Sequence, residues 1–81
     1  MITATQCRAA RALLDWSQQE LADSAGVGIV TVRPLEAGNT QPRRATLNVI
    51  RRALESAGVE FIDENGGGPG VRLRKRQQKK G

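Results

Sequence analysis

Apolar side chains recur at helical spacing through the first 57 residues, and polar punctuation divides them into four segments. Thr3 is followed three residues later by Gln6, and Ser17 by Glu20. Both are capping boxes, in which two side chains satisfy amides that a helix start leaves unpaired. A helix is therefore predicted from Ala4 to Leu14, with Cys7, Ala10 and Leu14 as its inward stripe. A second runs from Gln18 to about Ser24 and stops at Ala25-Gly26-Val27, where glycine supplies a left-handed residue. A third spans about Ile29 to Glu36 and stops at Ala37-Gly38-Asn39, and Thr40-Gln41-Pro42 is a loop. The fourth, about Arg44 to Ala57, is the clearest amphipathic segment. Leu47, Ile50, Leu54 and Ala57 share one face, Arg51, Arg52 and Glu55 turn mostly outward, and Gly58 ends it.

Beyond Gly58 the period changes. Val59-Glu60-Phe61-Ile62 and Val71-Arg72-Leu73 are short β-prone runs separated by Asp63-Glu64-Asn65 and a glycine-rich stretch through Gly70. They predict a β-hairpin; the alternative is a flexible glycine linker, because two strands alone are marginal unless they pack on helices or pair with another chain. The fold class expected is all-α: a compact bundle of four short helices over residues 1–58, a hairpin or dimerisation strands over 59–73, and a disordered basic tail over 74–81.

Composition narrows the chemistry. The chain has 81 residues, and of its 31 hydrophobic ones ten are alanine, so 21 larger apolar side chains must build the core. A core this thin is expected to need idealised helix packing or a partner subunit. With no His, no Tyr and only Cys7, the chain lacks the means for a Cys/His zinc site, a Ser-His-Asp triad or a Cys-His nucleophile pair. No metal, no cofactor and no enzymatic activity are expected. Gly26-Val27-Gly28 opens like a dinucleotide fingerprint, but no glycine follows at position 31. Gly66 to Gly70 lacks the Lys-Ser/Thr of a phosphate loop, and Asp63 and Glu64 sit in a solvated turn. Cys7 reads as a small core filler, with a reactive thiol as the alternative, and Trp16 as core beside a helix junction. One cysteine excludes an internal disulfide, and no signal peptide or long apolar run is present, so the cytoplasm, without membrane insertion, is expected.

The net charge of +5 is unevenly placed. Residues 1–65 hold seven basic and eight acidic side chains, a balance of −1, while residues 66–81 hold six basic ones and no acid. A basic tail on a neutral body suits a polyanion, and a merely solubilising tail is the alternative.

The informative stretch is QQELADSAGVGIVTVRPLEA, Gln18 to Ala37. Two short helices crossing steeply need a small residue at the crossing, a positive-φ residue in the turn and apolar residues at fixed inward positions. Ala22, Gly26 and the set Leu21, Ala25, Val27, Val32 and Leu35 meet those needs. This spacing resembles the helix-turn-helix of lambda-repressor-like (Cro/C1, Xre-type) DNA-binding proteins, over about residues 5–57. Trp16-Ser17-Gln18, Glu36-Ala37-Gly38, Pro42 and the Leu47-to-Leu54 helix agree with the family as well.

The resemblance implies a residue-by-residue site on double-stranded DNA. Gln18 would meet a phosphate at the start of the second helix. Gly28, Ile29, Val30, Thr31, Arg33 and Pro34 would face the major groove, and Asn39, Thr40, Gln41, Arg43 and Arg44 the backbone. Arg33 is the best base reader, since its fork matches the two guanine acceptors. Arg11 and Glu36 would form a structural ion pair away from the DNA. Ile29, Val30 and Pro34 depart from the polar positions usual in the family, and Pro34 is expected to kink or shorten the recognition helix. Phe61, Ile62, Val71 and Leu73 are expected to pair strands across a two-fold axis. The function implied is a sequence-specific transcriptional regulator, a repressor acting as a homodimer on the nucleoid. The alternative is a diverged module that binds a protein partner through Ile29, Val30 or the strands.

Overall fold

The computed structural model describes residues 2–62 and 67–74. Helices α1 (Ala4–Leu14), α2 (Gln18–Ala25), α3 (Ile29–Ala37) and α4 (Arg44–Ser56) are followed by strands β1 (Val59–Ile62) and β2 (Gly70–Leu73). Each of the first two helices opens with a complete capping box, on Thr3 and Gln6 and on Ser17 and Glu20. α1, α2 and α3 all end alike, in a left-handed residue followed by a bond that reaches back five residues. The amides of Trp16, Val27 and Asn39 donate to the carbonyls of Arg11, Ala22 and Pro34 at 3.0, 3.0 and 2.9 Å. This is the Schellman closure, which occupies carbonyls a helix end leaves orphaned. Gly26 and Gly38 adopt it at φ 72° and 77°, where a Cβ would be strained, but in α1 the position is Asp15 at φ 59°. A short polar side chain tolerates that conformation better than a branched one, and the sequence reading had no glycine there to mark it.

The inward stripes meet in one core. Leu21, Ala22, Val32, Leu47, Ile50, Leu54, Cys7 and Ala10 are buried, with Leu14, Trp16, Ala25 and Val27 packed against them. Ala57 departs from its expected inward place: α4 stops at Ser56, and Ala57 is exposed as the capping residue.

The hairpin forms, antiparallel, with Val59 opposite Leu73 and Phe61 opposite Val71. It does not stand alone. Val59 and Phe61 are buried with the helical core, and the Gln6 side chain donates to the carbonyls of Gly70 at 3.0 Å and Ile62 at 3.4 Å. The Arg51 guanidinium lies 5.2 Å from the centre of the Phe61 ring, a cation–π contact that joins α4 to β1. Arg74, expected in a disordered tail, instead continues the hairpin. Its amide donates to the Gly58 carbonyl and its guanidinium to the Glu55 carbonyl, both at 2.8 Å. The link at 63–66 and the remaining tail, 75–81, lie outside the described residues. Among the described residues, no helix is long and apolar enough to cross a membrane.

Candidate nucleic-acid interface

α3 is held from behind by one carboxylate. Glu36 lies on its inner side with 2% of its side chain exposed, and the Arg11 guanidinium donates to both its oxygens at 2.9 to 3.2 Å. The Gln18 amide donates to Oε1 at 3.1 Å and the Cys7 thiol to Oε2 at 3.4 Å. Arg8 donates to the Glu36 carbonyl, and Arg11 also donates to the Trp16 carbonyl at 2.9 Å. Among the described residues, no buried side-chain nitrogen or oxygen is left without a partner, as a buried charge requires.

The cluster shifts its own titrations. Burial alone would raise the Glu36 pKa, but the hydrogen bonds from Arg11, Gln18 and Cys7 and the charge of Arg11 outweigh it and hold the carboxyl below its ordinary value. Its hydrogen bond to Glu36 raises Arg11. Burial, then the negative charge of Glu36, pushes the Cys7 thiol up to about 12, which keeps it protonated and unreactive.

The front of α3 is different. Val30 is 79% exposed, and Arg33 is exposed and forms no ion pair among the described residues. Ile29 turns back and packs partly against the core, so it is not one of the outward groups. Thr31 and Pro34 are half-buried beside Val30. Asn39, Thr40, Gln41, Arg43 and Arg44 are all exposed, on the loop and the first turn of α4. Gly28 and Arg43 stand at the starts of α3 and α4, and neither start has a side-chain cap.

Pro34 neither ends nor shortens α3, which continues to Ala37. The ring removes the amide that would bond to the carbonyl of Val30, an exposed residue. The Pro34 carbonyl is used in the Schellman closure.

The arginines sort by position. Arg8, Arg11, Arg51, Arg72 and Arg74 all bond to carboxylates or carbonyls within the fold. Among the described residues, Arg33, Arg43, Arg44 and Arg52 make no side-chain hydrogen bond or ion pair, and three of these four border the front of α3. The acid of that segment, Glu36, is turned inward and neutralised.

A helix-turn-helix family model, of the Cro/C1 type, matches residues 8–61. The chain belongs to the helix-turn-helix family. This is a family of DNA-binding regulators, and α2, the turn at Gly26 and α3 are its helix-turn-helix unit. No curated protein matches the chain significantly. In α1, the sequence reading took Gln6 only as a capping partner and Arg8 only as a charge, and missed their long-range bonds. Both act through carbonyls far away in the chain, a bond type that leaves no periodic trace.

Proposed function

We propose that the chain is a sequence-specific transcriptional repressor that binds double-stranded DNA as a homodimer, with α3 in the major groove. What supports this above all is the sorting of arginines: those behind α3 are engaged, while Arg33, Arg43 and Arg44 beside its front are unneutralised. Arg33 projects from the helix to read guanine, and Arg43 and Arg44 meet phosphates with Asn39, Thr40 and Gln41. Gly28 brings backbone close to the DNA, and Val30, Thr31 and Pro34 make apolar contacts. Gln18 gives one amide hydrogen to Glu36, and its second is available to a phosphate. Occupying an operator is enough to block transcription, which is why repression is the simplest output, and binding to chromosomal DNA would place the protein on the nucleoid in the cytoplasm.

The dimer draws support from the hairpin. Ile62 and Leu73 remain 38% and 40% exposed, and each strand, among those described, pairs on one edge only. A second copy joined there would set two α3 helices for successive major grooves, about 34 Å apart. A single 8.8 kDa species in sedimentation at high micromolar concentration would remove this clause.

The deciding experiment is fluorescence anisotropy with a duplex from upstream of the coding region and a scrambled control, at 50 and 200 mM salt. A preference that survives the higher salt is expected. Replacing Arg43 or Arg44 with alanine should each reduce the salt slope by about 0.9. Equal binding to both duplexes that collapses together would sink the proposal. A second reading, in which α3 holds a protein partner, is favoured by one observation, the exposure of Val30, and predicts association that high salt does not weaken.

A further inference from the structure

Among the described residues Val30 is the most exposed large apolar side chain, at 79%; the others lie between 38% and 42%. Its surroundings are mixed: two prolines, three threonines (Thr31, Thr40 and Thr46) and Arg43. Val30 and Pro34 stand one turn apart on the same side of α3 and, with Thr31, form one wall of an open notch. Pro42, Arg43 and Thr46 contribute to the opposite wall. The notch presents methyl groups and two proline rings, and Arg43 is its one charged group. A Cβ on Gly28 would come within 3.4 Å of a Val30 methyl, so the missing side chain leaves that methyl uncovered at the start of the helix.

We propose that this notch reads the 5-methyl group of a pyrimidine in the major groove. The inference rests on the DNA-binding reading above and names what that face selects. On the major-groove edge of a standard base pair the thymine methyl is the apolar group. Seating it between Val30 and Pro34 removes apolar surface from water on both sides. The cytosine or adenine amino group placed there would lose its water with no acceptor in exchange, apart from threonine hydroxyls. Arg43 lies where it can hold a phosphate while the methyl is seated, so position and base are read by adjacent groups of one notch. Thymine and 5-methylcytosine carry the methyl on the same ring atom and differ at the neighbouring exocyclic group, a carbonyl in one and an amino group in the other.

The test enriches binding sites for the full chain from a random duplex pool. Each thymine of the enriched site is then replaced singly by uracil, which deletes only the methyl. At one or two positions per half-site the loss should be about threefold to tenfold, the scale of one buried methyl. In the Val30→Ala protein, thymine and uracil at those positions should bind within about twofold of each other, while the salt slope stays that of the unaltered chain. Because Val30 is so exposed, that variant should keep its helical circular dichroism and melting temperature. Further duplexes carry cytosine or 5-methylcytosine at the same positions. A gain from methylating cytosine supports reading of the methyl whatever its base; no gain, with the uracil loss intact, confines the reading to thymine. An enriched site in which thymine and uracil bind alike throughout, or a difference that survives Val30→Ala, overturns the notch and leaves DNA binding standing. Failure to enrich any sequence overturns both.

Discussion

The starts of α1 and α2 differ from those of α3 and α4 in what meets their amides. Thr3 and Ser17 close the first two with reciprocal side-chain bonds of 2.7 to 3.0 Å. Gly28 and Arg43 stand at the other two and supply no side-chain cap. The same division runs through the charges. Behind α3, Arg8, Arg11 and Gln18 converge on Glu36, whereas in front of it Arg33, Arg43 and Arg44 have no partner among the described residues. Bare amides and unpaired cations cost stability where they are buried and little where water or an anion reaches them. One region is thus internally satisfied and holds position; the other is left unsatisfied on the surface that the proposed DNA would cover.

Four changes break or sharpen this division. The largest effect is expected from Glu36→Ala, which leaves Arg11 and Gln18 without their acceptor and should destabilise the fold by about 3 kcal/mol in urea titration. A domain this small can lose its folded population to that change, so an Arg11→Met, Glu36→Leu double variant is the companion; it should recover part of the loss, because it removes both charges together while Gln18, Cys7 and the Trp16 carbonyl still lose a partner.

Acid should act through the same carboxylate. Its folded pKa lies below its unfolded one, so its stabilisation is complete above the ordinary glutamate range, near pH 4.3, and is lost as pH falls through the lower folded value. Melting temperature measured downward from pH 5 should fall less steeply in Glu36→Gln than in the unaltered protein. Equal slopes would deny Glu36 this part.

Opening a closed start is expected to cost less. Ser17→Ala removes the cap of α2 and should lower stability by about 1 kcal/mol with no change in salt slope. Closing an open start is the smallest effect on the fold and the most telling on binding. Gly28→Asp should add roughly 0.5 kcal/mol to stability, by capping α3 and meeting its dipole, while weakening DNA binding through a negative charge on the contact face. A variant that gains stability and keeps its affinity would mean that α3 does not begin against DNA.

Much of this division is written locally. The two capping boxes place the starts of α1 and α2, and the glycines at 26 and 38 the stops of α2 and α3, within about one residue, because each depends on a nearby residue of special conformation. The front of α3 is legible for the same reason: spacing within one helix decides which side chains share a face. What lay hidden were bonds between side chains and distant carbonyls. Arg8 and Arg74 read as mere charge, yet one closes the end of α3 and the other the end of α4. Gln18 was expected on a phosphate alone, and its bond to Glu36 spans 18 positions. Pro34 did not shorten α3, because a proline removes one amide and leaves the later bonds of the helix, including its own carbonyl's, in place.

Gln6 has a consequence for the order in which the molecule is made. Its carbonyl oxygen accepts from the Thr3 amide at the very start of α1, while its nitrogen donates to Gly70, 64 positions further on. At synthesis rates of about 5–20 residues per second, roughly 3–13 s separate the translation of these two partners. Until Ile62 and then Gly70 are translated, the Gln6 nitrogen lacks its two carbonyl partners. The four helices emerge first and must hold together without their clasp, and α1 receives its last bond from the strand translated after all of them.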